Sequence, residues 1–337
     1  MKAIQLQAPH DAACVDVPIR KRKNGEALIE IKSMGICGSD VSAFQGKNPM
    51  VRYPLILGHE LAGIVREIDE NEQDIKVGDR VVVDPYISCG HCYPCSLGRT
   101  NCCADLKVLG TQIDGGMCQY LTHPVHLLHK MPDELTWDVA PITETMCISL
   151  HTVRRAMVQA GEKVAIFGAG PVGFLAALIC KDMGAEPILI DIIADRLAHA
   201  QKNGIQYTIN SSSENLEKKI LELTDGEGVR AALEVSGANE AISSTLQVVS
   251  HAGRVVFTGW PKKGTLLETS IITKKELDVR GSRTANREFD DCLKAIASGR
   301  IPVAAILTAT CGMDDIPQML QKISDYPQQQ IKVVALN

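Results

Sequence analysis

At 337 residues the chain is long enough for about two domains, and its 45% hydrophobic and 22% charged residues exclude a disordered, collagenous or coiled-coil protein. Against 40 Asp and Glu stand 35 Lys and Arg, a formal charge of −5, which excludes the basic footprint of a nucleic-acid or anionic-membrane binder and leaves a small ligand as the expected partner. The opening MKAIQLQAPHD has no apolar stretch behind its single Lys, so a secretory signal is not expected and a cytoplasmic location is. Without such a signal, the 12 cysteines point to metal or catalytic use rather than to disulfides.

From Lys2 to about Ile142 the segments are short, β-rich and punctuated by Gly, Asp and Pro, as in EALIEIKSMGICGSD, GHELAGIVREI and VGDRVVVDPY. They predict a mostly β barrel or sandwich. Dispersed through this half are Cys37 in GICGSD, His59 and Glu60 in GHE, and Glu144 in ITETM. Each alone reads as a packed or loop side chain; together, thiolate, imidazole and carboxylate suit a zinc ion that keeps one position open. Between them stand Cys89, Cys92 and Cys95, with Cys103 eight positions further on. Four such thiolates suit a closed, structural zinc site. An iron–sulfur cluster is the rival, disfavoured by the longer last spacing and by the absence of a Pro after Cys103; Cys102 competes with Cys103 as the fourth ligand.

From Glu162 to Gly281 strand-like and helix-like runs alternate: KVAIF, VGFLAALICKDMG, PILID, ADRLAHAQKNG, AALEV, AISSTLQVV and RVVFTG. This predicts parallel βαβ units, while SSSENLEKK reads only as polar. The uncharged run Val164 to Cys180 carries three glycines and a proline, so it reads as strand, turn and helix rather than a membrane span. Its FGAGPVG places Gly168, Gly170 and Gly173 as a G-x-G-x-x-G fingerprint, with Pro171 at the helix start. The glycines allow a tight turn, close approach of a pyrophosphate and close helix packing. Asp191 ends the next apolar run, where a carboxylate would bond a ribose 2′-hydroxyl and repel a 2′-phosphate, favouring NAD over NADP; its other reading is a cap on the following helix. After Gly281, helices are expected around Glu288 to Ser298 and Met313 to Ser324, and IKVVAL is expected to return as a strand to the first domain.

GICGSD, GHExxG, the four-cysteine cluster and GAGPVG, in this order and over essentially the whole chain, resemble the zinc-dependent medium-chain dehydrogenases of the alcohol dehydrogenase superfamily. The likeness is greatest to a polyol and sugar-acid branch of sorbitol, threonine and L-galactonate dehydrogenases. It implies an α/β architecture: a GroES-like, mostly β catalytic domain of residues 1–145 and 283–337, and an inserted Rossmann domain of doubly wound parallel sheet, residues 146–282, with the active site in a closing cleft. It also implies two zinc ions per chain, one catalytic and one structural, NAD as cofactor, and assembly as a dimer or tetramer.

By this resemblance Cys37, His59 and either Glu60 or Glu144 ligate the catalytic zinc, Cys147 is ordinary packing, and Ser39 takes the alcohol proton. Val172, Arg196 and Ser236 join the fingerprint residues, Pro171 and Asp191 as cofactor contacts. Arg283, in KKELDVRGSRTAN, is the candidate partner of a substrate carboxylate. Three positions depart from the family pattern: Ser42 replaces the usual relay His, Asp69 stands where a small residue is usual and reads as a left-handed turn position, and Thr145 replaces a Pro. The expected reaction is zinc-dependent hydride transfer from a secondary alcohol of a polyol or sugar acid, such as a hexitol or L-galactonate, to NAD. The alternatives are an L-threonine 3-dehydrogenase-like or other small-alcohol enzyme and, from another class, a metal- and NAD-binding regulator without turnover.

Overall fold

Alternation builds the first half. Along the strand Glu26–Ile36, Ala27, Ile29 and Ile31 are fully buried while Glu30 and Lys32 face outward, the period-two signature of a sheet with one covered face. The computed structural model describes residues 1–337. They fall into two compact units: residues 1–145, 286–299 and 307–337 in one, and 146–285 with 300–306 in the other.

In the first unit Glu26–Ile36 pairs antiparallel with Glu60–Glu67 on one side and with the closing strand Lys332–Leu336 on the other, so residues 60 and 332 come to the two strands that flank it. Leu307–Gly312, Arg80–Val83 and Leu128–Lys130 extend this sheet, and Tyr120–Pro124 also pairs with Glu26–Ile36. A smaller sheet orders Asp11–Asp16, Lys2–Ala8 and Leu55–Ile56. Ile4, Leu6, Leu57, Leu61 and Met117 fill the core between them. Asp69 is not a left-handed position. Its carboxylate instead accepts two hydrogen bonds from Arg22, at 2.5 and 2.6 Å, which corrects the turn reading.

The second unit holds six parallel strands in the order Tyr207–Asn210, Glu186–Asp191, Lys163–Phe167, Val229–Glu234, Val249–Phe257 and Asp278–Gly281. The chain starts in the middle and winds outward both ways, so the order reverses between Lys163–Phe167 and Val229–Glu234, where open α/β sheets bind ligands. The long uncharged run is the end of one strand, the glycine turn and the helix Pro171–Asp182. No helix is long and apolar enough to cross a membrane. SSSENLEKK is more than polar: Asn215 caps the helix Leu216–Leu223 by accepting the Lys218 N–H at 3.0 Å. Residues 300–306, which the sequence reading grouped with the first domain, join the second unit, where Arg300 pairs with Asp182 at 3.3 Å and His199 donates to the Ala305 carbonyl at 2.6 Å.

His123, in Tyr120–Pro124, is 1% exposed and donates through Nε2 to the Asp84 carbonyl at 2.8 Å. Burial pulls its pKa from 6.5 down to about 4. The unfolded chain therefore takes up a proton first as pH falls, and stability drops across that window, by up to about 3 kcal/mol for this one group. His123→Gln should flatten the decline in urea midpoint between pH 7 and pH 4.5; an unchanged slope would contradict the assignment.

Candidate active site

The closing strand carries a lysine into the interior. Lys332 is 2% exposed, and its Nζ donates to Glu60 Oε1 at 2.5 Å and to Oε2 at 2.8 Å. The Thr145 hydroxyl adds a third hydrogen bond to Oε1, at 2.9 Å. Burial pushes the Glu60 carboxyl up, but Lys332, His59 and Thr145 outweigh it and hold it below the usual carboxylate range. Gly35 lies opposite Glu60 in the sheet, and any side chain there would overlap the Glu60 carboxylate.

Beside this pair, Cys37 Sγ, a His59 ring nitrogen and a Glu60 oxygen lie within 4.8 Å of one another. Cys37 precedes the helix Gly38–Phe44, and the buried Asp40 fastens it by accepting the Cys37 N–H at 2.9 Å. Ser39 Oγ is 3.4 Å from His59 Nε2. Glu144, 1% exposed at the start of the helix Ile142–Ala156, accepts the Tyr86 hydroxyl at Oε1. Burial, reinforced by Glu60, pushes Glu144 up to about 7.

Three buried polar atoms here have no hydrogen-bond partner: Glu144 Oε2, and His59 Nδ1 and Asp40 Oδ1, which face each other at 3.8 Å. Burial alone would lower the His59 pKa, yet the Cys37 and Asp40 charges raise it well above 6.5. A cluster that draws in positive charge and offers one sulfur, one nitrogen and carboxylate oxygens fits a divalent zinc ion.

The four-cysteine lobe is a separate centre. The sulfurs of Cys89, Cys92, Cys95 and Cys103 lie within 4.8 Å of one another, with Cys92 3.4 Å from Cys95 and 3.8 Å from Cys103. A tetrahedron of sulfurs at about 2.3 Å from one zinc has edges of about 3.8 Å, so the set fits a closed site. Backbone N–H groups of Ala104 and Cys95 draw the Cys92 thiol down to about 6. Cys102 stands outside the four, accepting from Arg99 at 3.7 Å, because the tight turn Thr100–Cys102 aims adjacent residues apart.

In the second unit Gly168 adopts φ +112°, and a side chain on Gly173 would overlap the Gly168 carbonyl, so the fingerprint glycines are required by close approach. Pro171 opens the helix after Gly170, and the Val172 carbonyl accepts the Ser149 hydroxyl at 2.9 Å. Asp191 ends its strand with both oxygens engaged: Oδ1 accepts the N–H groups of Ile192 and Ile193, just ahead of the helix Ala194–Lys202, at 2.7 and 2.9 Å, and Oδ2 accepts that of Ala169, inside the glycine turn, at 2.6 Å. The Arg196 guanidinium lies 3.9 Å from where a Gly170 side chain would begin, and Ser236 packs 3.1 Å from the same point on Gly168. Bare helix N–H groups beside an arginine fit the pyrophosphate of a dinucleotide. Arg283 is half-buried, beyond the strand Asp278–Gly281, and belongs to neither metal cluster.

Lys332, Tyr86 and Thr145 are the site residues that sequence reasoning missed or misread. The one available signal was Lys332 itself, a lone charge inside the apolar run IKVVAL.

Comparison with known proteins agrees with this geometry. Residues 23–133 match the alcohol dehydrogenase GroES-like domain, and residues 171–298 match the zinc-binding dehydrogenase family. The chain is 45% identical to an uncharacterized zinc-type alcohol dehydrogenase-like protein of Haemophilus influenzae, over 100% of this chain and 98% of that one. It is 34% identical to the L-galactonate-5-dehydrogenase of Escherichia coli K12, over 91% of each. Among solved structures, a protein of Escherichia coli CFT073 described as a short chain alcohol dehydrogenase, complexed with cofactor NADH, superposes with TM-score 0.94 at 28% identity, covering 100% of this chain and 99% of that one.

The purified chain should contain two zinc ions. Cys103→Ser should lower this to one and Cys102→Ser should leave two, as read by elemental analysis; loss of zinc from Cys102→Ser would reverse the ligand assignment.

Proposed function

The chain belongs to the zinc-binding alcohol dehydrogenases, and from that premise we propose that it oxidises a secondary alcohol of a sugar acid or polyol with NAD. The observation that carries this reading is the cluster of half-buried Cys37 with buried His59 and Glu60, the Ser39 hydroxyl at its edge. Cys37, His59 and Glu60 would hold the catalytic zinc, with Glu144 as the flanking carboxylate; Cys89, Cys92, Cys95 and Cys103 would hold the structural one. When bound, zinc lowers the pKa of a hydroxyl group and NAD accepts hydride.

The chain's own residues would supply positioning and proton handling. Ser39 Oγ would receive the alcohol proton. Ser42 cannot continue the relay as an imidazole would, so the proton needs another acceptor, and Glu144 Oε2, buried without a partner on a group raised to about 7, answers that need. Asp191 would accept the ribose 2′-hydroxyl and repel a 2′-phosphate, favouring NAD over NADP. Arg283 would pair with a substrate carboxylate through its planar fork. The similarity to L-galactonate-5-dehydrogenase supports the sugar-acid class over simple alcohols.

NADH formation at 340 nm on L-galactonate, L-idonate, gluconate, sorbitol, galactitol and L-threonine tests the reading. Chelator-sensitive turnover of a sugar acid is expected, at least about tenfold better with NAD than with NADP. Arg283→Met should lower kcat/KM for the acid by about tenfold. Turnover of polyols alone would remove the carboxylate pocket, and turnover of L-threonine alone would replace the substrate class.

A further inference from the structure

Glu234 ends the strand Val229–Glu234, next to the point where strand order reverses, and it is fully buried. Its Oε1 accepts three hydrogen bonds from the turn that follows: from the Ser236 N–H at 2.8 Å, the Ser236 hydroxyl at 2.5 Å and the Gly237 N–H at 2.9 Å. Its backbone carbonyl accepts the N–H groups of Thr258 and Gly259, at 2.8 and 3.1 Å, from the end of the next strand. One residue on, the Val235 N–H donates to the Phe167 carbonyl at 3.0 Å, just before the glycine turn. Oε2 has no partner and lies 2.7 Å from where a Gly259 side chain would begin. The Ser236 side chain is in turn the wall against Gly168.

We infer that Glu234 is a positioning residue for the dinucleotide: as a buried acceptor, it clamps the Ser236–Gly237 turn against the glycine turn and so sets the width of the crevice. This rests on the reading that the crevice holds NAD. The side chain is sealed from solvent and does not itself touch the cofactor. Oε1 takes all three donors at once because the glutamate side chain folds back over its own turn. A methionine matches the glutamate in length but offers no oxygen to those donors, whereas a glutamine keeps the acceptor oxygen at full length.

The test is NADH affinity by fluorescence titration, with melting of the free protein as the check on folding. Glu234→Met should weaken NADH binding about tenfold, and Glu234→Gln should stay within about threefold of the parent, as one lost or kept hydrogen-bond set implies. KM for NAD should follow Kd while kcat at saturating cofactor stays within about twofold. A purely structural role would lower melting without moving Kd. Equal affinity in parent and Glu234→Met overturns the inference, as does a Glu234→Gln as weak as Glu234→Met. If Glu234→Met does not fold, amide hydrogen exchange of the parent decides: the Ser236 and Gly237 amides should already be protected in the free protein, and exchange there as fast as in an exposed loop overturns the inference equally. A parent protein that binds no NADH overturns the cofactor reading instead.

Discussion

Everything at the candidate catalytic centre depends on the ion pair between Glu60 and Lys332. A carboxylate at 0% exposure cannot stay ionised unless a cation is buried with it, and the chain supplies one from a position 272 residues away. This requirement explains why the last strand returns to the sheet beside Glu26–Ile36 and why that strand has a glycine at the point facing Glu60. Because both Glu60 oxygens are engaged by Lys332, the carboxylate is oriented before any metal arrives. Second partners of this kind orient ligands and tune the metal they hold.

The two cysteine-bearing centres solve different problems in one unit. The four-sulfur lobe is closed: neighbouring sequence positions fold back until every sulfur faces the others, which suits a site that only holds a loop together. The Cys37, His59 and Glu60 cluster is assembled from a helix start, a loop and a strand, and it leaves buried polar atoms on His59, Asp40 and Glu144 without hydrogen-bond partners. Unsatisfied buried groups are expensive, and they concentrate where a ligand completes the structure.

What was legible in the sequence was local. The fingerprint glycines, Asp191, the four close cysteines and the alternation of strand and helix all signal within a few tens of residues, and each element appears where its pattern predicts. Non-local partnerships were not legible. Lys332 looked like a charge at the edge of an apolar strand, Tyr86 like the end of the β-rich segment VGDRVVVDPY and Thr145 like a mere replacement for Pro, because each is defined by a side chain far off in sequence. The choice of Cys103 over Cys102 was invisible for another reason: spacing counts residues, while the turn Thr100–Cys102 decides which thiol faces inward. The helix Leu216–Leu223 was hidden because it docks on Ile220, with only Leu216 and Leu223 packed partly against the core beside it, and mostly charged residues fill the rest of the segment.

The most direct test is a double-mutant cycle on urea unfolding with Lys332→Met and Glu60→Gln. Each single change leaves a buried group without its partner and should cost about 3–5 kcal/mol, while the double mutant should recover much of that loss. A coupling of several kcal/mol is the predicted result. Two single mutants near parental stability, or losses that simply add, would show that the pair does not organise the site.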